Sequence, residues 1–198
     1  MNKNIQKYVA ENISIISKIL LFYVSGVILG IILFVFTDIK AEYIDIVKNI
    51  LEQTKQENFQ SINVIANGLK NNLFFIGIIY SSIITIISPL IIMTIIVLKA
   101  IVTGIYVCTL FSIFGILKGL GVIILNVLLP LILSLTGFII ISTNAINIFK
   151  DINLGNKIGI KETIKQGYWF IISFSLISFS IVVEQLTSGL VISIYSKI

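Results

Sequence analysis

The strongest constraint on this chain is a run of 43 residues, Leu73 to Gly115, in which the only charged side chain is Lys99. As one helix the run would be roughly 65 Å long, about twice the thickness of the hydrocarbon core of a bilayer. The mean hydropathy is +1.09, and 12% of the residues are charged, against about 25% in a typical soluble domain. A bilayer is therefore the expected solvent, and this run is expected to cross it twice.

Two positions for the turn inside this run remain open. Pro89 lacks an N–H and restricts the backbone of Ser88, so it is the natural helix breaker. A turn near Lys99 would divide the run more evenly. A broken or re-entrant helix at Pro89 is also allowed, provided that neighbouring helices cover the freed backbone groups.

Apolar runs on either side complete the prediction of an all-α integral membrane protein with about five transmembrane helices. The expected spans are residues 18–36, 73–95, 97–115, 119–143 and 168–188, with an amphipathic extracytoplasmic segment at 37–72 and a cytoplasmic loop at 144–166. Lysines are slightly more numerous around the start of the first span and before the last span than in the remaining polar parts of the chain, which are segment 37–72 and the span ends near Lys118 and Lys197. The positive-inside rule then predicts a multi-pass protein of the cell membrane with a cytoplasmic N-terminus and an extracytoplasmic C-terminus.

The first apolar run carries Gly26 and Gly30, spaced four residues apart. This GxxxG spacing lets two helices approach closely, so it predicts helix packing within the chain or, alternatively, self-association into a homo-oligomer. No small-residue cleavage site of the A-x-A kind follows the run. We therefore expect a retained span and not a signal peptide.

Segment 37–72 is the one sizeable polar part, with five acidic residues and four lysines. Its apolar residues recur at helical spacing, which predicts one or two amphipathic helices. The residues on this face are Ile44, Val47, Leu51, Phe59, Ile62, Ile65 and Leu69. The face is expected either to rest on the membrane surface or on the protein's own helices, or to dock a partner protein.

Ionisable and helix-breaking residues inside the apolar runs are the remaining candidates for a site. They are Pro89, Lys99, Asn126, Pro130 and Glu184. A charge at membrane depth costs at least about 2.5 kcal/mol on insertion scales, so Lys99 is expected to snorkel to an interface or to meet a buried partner. Glu184 is expected to reach the outer interface, and an ion pair with Lys99 requires the turn to be at Pro89.

The sequence offers no catalytic apparatus. It has no histidine, a single cysteine at Cys108, and no paired carboxylates or phosphate-binding loop. We therefore expect no enzyme activity, no cofactor and no metal site. Nucleic-acid binding is not expected either, because the lysines stand singly at the ends of apolar runs, where they anchor helices next to membrane lipid.

With this layout the chain resembles the stage II sporulation protein M family of spore-forming bacteria. The resemblance rests on the GVILG pattern of the first span, Asn71 and Asn72 at the end of the polar segment, the Ser88–Pro89 step, Lys99 to Gly104, and Pro130. It implies a non-catalytic membrane scaffold that acts in forespore engulfment. Members of the family look like scaffolds that hold peptidoglycan-degrading enzymes, one of lytic transglycosylase type and one of amidase or endopeptidase type, at the septal membrane.

The alternative is a permease subunit of an ABC-type exporter whose ATPase is a separate chain. It would explain Pro89, Lys99 and the long broken run as parts of a gate or pathway. The loop around Lys150 to Lys165 is then the only candidate for a cytoplasmic coupling helix. A third class, an intramembrane peptidase, is disfavoured because the catalytic pairs are missing.

Overall fold

The computed structural model describes residues 3–56, 61–83, 85, 87–155 and 160–195 of the chain. These residues form six α-helices and one π-helical turn. The helices are α1 (Lys3–Phe36), α2 (Ile39–Gln56), α3 (Ser61–Ser82), α4 (Ser88–Ile123), α5 (Leu129–Asn153) and α6 (Ile160–Tyr195), with the π-helical turn at Ile124–Leu128. Three stretches are long and apolar enough to cross a bilayer, namely Gln6–Phe36, Ser88–Asn153 and Gln166–Ser188. The chain is therefore an all-α, membrane-embedded protein.

Helix α1 begins fifteen residues before the expected start of the first span. The polar N-terminal residues stay helical because neither glycine nor proline interrupts them before Gly26. Tyr8 and Asn12 on this extension are buried, and their side chains bond to α5. The extension is thus part of the packed bundle.

The turn inside the long apolar run lies between the end of α3 at Ser82 and the start of α4 at Ser88, the residue before Pro89, and the expected division between residues 95 and 97 is not observed. Pro89 lies in the first turn of α4, where a backbone N–H has no helical partner and its absence costs no hydrogen bond. The helix therefore begins at Ser88 and continues past residues 95–97. The Oγ atoms of Ser82 and Ser88 approach to 3.3 Å across the turn, and Ser88 is fully buried. Helix α3 runs from 61 to 82. It therefore crosses residue 72, where composition suggested that the polar segment ends and a membrane span begins.

Helix α4 reverses direction at Gly115. This residue has φ 72° and ψ 179°, which L side chains rarely adopt, so the helical hydrogen bonding breaks there. On either side of the break the chain packs on itself through a small core that includes Leu110, Phe114 and Val122. The stretch Ser88–Asn153 is therefore a helical hairpin with antiparallel arms, 88–114 and 116–153.

The second arm is longer than the expected span at 119–143. It passes through the π-helical turn, which ends two residues before Pro130. The ring of Pro130 cannot tolerate the normal approach to the carbonyl four residues earlier, at Asn126, and a wider turn relieves that clash. The arm then continues to Asn153, so residues 144–153 are helical and not loop; Ala145 and Ile146 are buried on it.

Helix α6 runs back along α5. A Cβ at Gly137 would lie 2.9 Å from the carbonyl oxygen of Ser173, so the two backbones approach closely. Helix α3 is antiparallel to α6, because Tyr80 meets Phe170 at 5.2 Å between ring centroids while Gly68 lies against Ile181. Helices α1, α3, α4, α5 and α6 thus form a bundle with a continuous apolar core. Many large apolar side chains remain exposed on its outside, as lipid contact requires.

Candidate functional site

Lys99 lies about midway along the first arm of α4. It follows Ser88 by roughly 16 Å and precedes Gly115 by roughly 24 Å at 1.5 Å per residue. Its Nζ donates to Oδ1 of Asn72 on α3 at 2.7 Å and stands over two aromatic rings, 4.0 Å from the centroid of Phe138 and 5.0 Å from that of Phe75. The ammonium group is thus held between helices by an amide oxygen and two π-faces. Every one of these contacts is to a neutral group.

A cavity of about 340 Å³ adjoins this ammonium group. Helices α1, α3, α4 and α5 all contribute to its wall, which is mostly apolar and includes Phe75, Leu131, Leu135 and Phe138. The exposed residues Leu98 and Val102 stand at its rim, so the cavity reaches the outer surface of the bundle. It sits at the low end of the volume range of small-molecule sites.

The hydroxyl groups around the cavity are already engaged within the protein. Tyr23 donates to Oγ1 of Thr103 at 3.3 Å, Thr103 donates to the carbonyl of Lys99 at 3.0 Å, and Ser134 donates to the carbonyl of Leu131 at 3.2 Å. Of the wall residues named here, Lys99 therefore retains N–H bonds that a bound molecule could use, because an ammonium group has three.

Glu184 on α6 is near enough for its charge to act on Lys99, but the two side chains do not form a direct ion pair. Within the described part of the chain the one salt bridge joins Lys7 to Glu11, at 3.9 Å on the exposed face of α1. From the sequence, an approach of these two charges required the turn to lie at Pro89. The turn does lie there, before Pro89. Taken as a whole residue, Glu184 is exposed on α6.

Asn126, in the π-helical turn, forms a second polar centre. It donates to the Tyr106 hydroxyl at 3.2 Å and accepts from Oγ1 of Thr187 at 2.9 Å. This buried amide therefore links both arms of the α4 hairpin to α6. Pro130 sits four residues beyond it and is buried.

A third polar cluster joins the N-terminal part of α1 to α5, and sequence reasoning missed most of it. The Tyr8 hydroxyl donates to Oδ1 of Asn144 at 3.3 Å, and Asn147 donates to Oδ1 of Asn12 at 2.7 Å. The Tyr8 ring also packs on Trp169 of α6, with 4.1 Å between centroids. The four-residue spacing of Tyr8 and Asn12 places both on one helix face, and this spacing is the sequence feature that could have indicated the cluster.

Small residues bring α1 and α4 together. A Cβ built at Gly26 would lie 2.7 Å from the Cβ of Ala100, and one at Gly30 would collide with the carbonyl oxygen of Ile101. Gly104 meets the α1 backbone in the same way. The GxxxG spacing of α1 thus faces the Ala100 and Gly104 pair of α4 within one chain.

The apolar face expected of segment 37–72 is only partly described. Ile44 and Val47 are half-buried on α2, and α2 packs against α1, α4 and α6. Leu69 on α3 is half-buried as well. Phe59 and the side chains of Leu51, Ile62 and Ile65 lie outside the described residues. The exposed side chains between Ile39 and Asn49 of α2 include Lys40, Glu42, Asp45, Ile46, Lys48 and Asn49.

Across residues 3–56, 61–83, 85, 87–155 and 160–195, no group of three or more His, Cys, Asp or Glu side chains lies close enough to share a metal ion. No protein-family model, curated protein or solved structure matches the chain.

Proposed function

We propose that this protein is a non-catalytic membrane scaffold that positions peptidoglycan-degrading enzymes at the septal membrane during forespore engulfment. The observation that carries the proposal is the arrangement of α2. Its half-buried residues Tyr43, Ile44 and Val47 share one face, and its charged residues Lys40, Glu42, Asp45 and Lys48 are exposed. A polar helix anchored to a membrane bundle in this way is suited to hold a soluble partner next to the bilayer. The resemblance to the stage II sporulation protein M family supplies the biological setting.

The proposed topology has five spans: α1, α3, the two arms of the α4 hairpin, and α6. In it the N-terminus, the turn between α3 and α4 and the connection after Asn153 share the cytoplasmic side. Helix α2 and Gly115 share the outer side. The antiparallel packing of α3 on α4 and of α5 on α6 supports this alternation. The lysine-rich sequence from 150 to 165 falls on the cytoplasmic side, as the positive-inside rule requires.

Cysteine labelling in intact cells tests the topology. In a Cys108→Ser background, we expect Lys48→Cys and Lys118→Cys to react with a membrane-impermeant maleimide, because both positions are exposed at the proposed outer side. Leu154→Cys, which is exposed at the opposite side, is expected to react only after permeabilisation. Labelling of 154 but not 48 in intact cells would rule out the scaffold.

Charge reversal on the exposed face of α2 tests the docking role. Glu42→Lys with Asp45→Lys is expected to lower the co-purification of the two hydrolases from sporulating cells at least about tenfold, because rim charges set partner recognition. Lys118→Glu, which reverses a charge away from α2, is the matched control and should leave recovery unchanged. Equal recovery with all variants would show that α2 does not hold the enzymes.

The permease subunit of an ABC-type exporter is the second candidate, and the cavity beside Lys99 is the observation that favours it. A cavity between helices at membrane depth is a feature that transport pathways use. Isolation of the protein in stable complex with an ATPase chain, together with the reverse labelling pattern, would select this candidate.

A further inference from the structure

We propose that the cavity beside Lys99 binds a single-chain amphiphile with a carboxylate head group, such as a fatty acid drawn from the surrounding membrane. In the bound state the carboxylate accepts hydrogen bonds from Nζ of Lys99, and the hydrocarbon chain lies along the apolar wall formed by α4 and α5. This ligand site goes beyond the scaffold role and does not depend on it.

The charge of Lys99 is the first reason. Its Nζ is held by the Asn72 amide and by the rings of Phe75 and Phe138, all of them neutral. A cation in a non-aqueous site is stabilised by an anionic hydrogen-bond acceptor far more than by neutral groups. The charge of Glu184 acts on it only from beyond ion-pair distance. The site is therefore complementary to an anion that comes from outside the chain.

The shape of the cavity is the second reason. The hydroxyl groups in its lining, on Tyr23, Thr103 and Ser134, are bonded within the protein, and the rest of the lining besides Lys99 is apolar, including Leu131, Leu135 and Phe138. The exposed rim at Leu98 and Val102 opens toward the lipid-facing surface, so a membrane molecule can enter sideways. A volume of about 340 Å³ suits one acyl chain and excludes a two-chain phospholipid.

The depth of Lys99 decides between a carboxylate and a phosphate. The residue lies roughly 16 Å from the start of α4, which is about half the thickness of the hydrocarbon core. A phosphate head group stays charged and remains in the interfacial layer. A carboxylic acid can lose its charge by protonation, reach this depth, and give its proton up again beside a cation. The position therefore selects a carboxylate.

The test compares two ligands on the unmodified protein. Purified full-length protein in detergent is titrated with dansyl-undecanoic acid and with the methyl ester of the same molecule, and dansyl fluorescence in protein-free micelles is subtracted. We expect the acid to bind about tenfold or more tightly than the ester, because the ester cannot present a charged acceptor to Lys99; a tenfold difference corresponds to about 1.4 kcal/mol. Equal affinities would overturn the proposal without recourse to any variant.

Variants locate the site. Lys99→Gln is expected to weaken binding of the acid about tenfold or more and to leave binding of the ester unchanged, whereas Lys118→Gln, at the Gly115 turn, should change neither. Ser134→Phe, which fills the cavity from α5, should abolish binding of both ligands. A lysophospholipid of the same chain length is expected not to compete. Full competition by it, or unaltered binding of the acid to Lys99→Gln, would refute the carboxylate site.

Discussion

Gly30→Ala is expected to lower the free energy of unfolding by about 1–3 kcal/mol, although alanine is normally the better helix former. The added Cβ would collide with the backbone carbonyl of Ile101, and a backbone atom cannot move aside as a flexible side chain can. The whole contact between α1 and α4 would have to widen. Equilibrium unfolding of the purified protein in mixed detergent micelles measures the change.

Gly77→Ala is the matched control for this prediction. Gly77 is helical like Gly30, but it is exposed, and a Cβ there would have no neighbour within 4 Å. Alanine at this position should therefore leave stability unchanged or raise it by up to about 1 kcal/mol. If Gly30→Ala were as stable as Gly77→Ala, the close crossing of α1 and α4 would be wrong.

Asn72→Leu is expected to destabilise the protein by about 1.5–3 kcal/mol, because it removes the amide oxygen that accepts a hydrogen bond from Nζ of Lys99. The ammonium group would keep only its two ring contacts at membrane depth. The measurement is again equilibrium unfolding, with Asn71→Leu as the control, since Asn71 is its exposed neighbour. Asn71→Leu should change stability by less than about 0.5 kcal/mol.

A double variant separates loss of the hydrogen bond from loss of helix packing. Lys99→Met removes the charge and keeps the length of the side chain, so Asn72→Leu should cost little in its presence. The two substitutions together are expected to be at least as stable as Asn72→Leu alone. Additive losses would mean that Asn72 acts through packing and not through the charge of Lys99.

The membrane class of the protein could be predicted from the Leu73 to Gly115 run, because a water-soluble fold cannot hide so long an apolar stretch. The ends of the helices were less predictable than the membrane class. Residues 3–17 and 144–153 are polar enough to suggest solvent, yet their buried residues, such as Tyr8 and Ala145, pack on neighbouring helices. Composition describes the average environment of a segment, whereas one buried face is enough to keep it helical.

The surroundings of Lys99 could be anticipated only as an alternative between an interface and a buried partner. Its partner, Asn72, is 27 residues away in sequence and sits among polar residues that suggested the outer segment. Whether the two meet depends on the turn between α3 and α4, which brings α4 back along α3. The sequence offered two positions for the turn, at Pro89 and near Lys99, and the choice between them needed the packing of whole helices.

The reversal at Gly115 has a consequence for the biogenesis of the protein. In the proposed five-span arrangement, a single glycine joins the two arms, and Lys118 is the nearest charge that must be carried across the bilayer. So short a connection gives the translocation machinery no polar loop to export separately. We therefore expect residues 88–153 to enter the membrane together as a preformed pair, with the charge transferred at the tip, and not as two helices inserted one after the other.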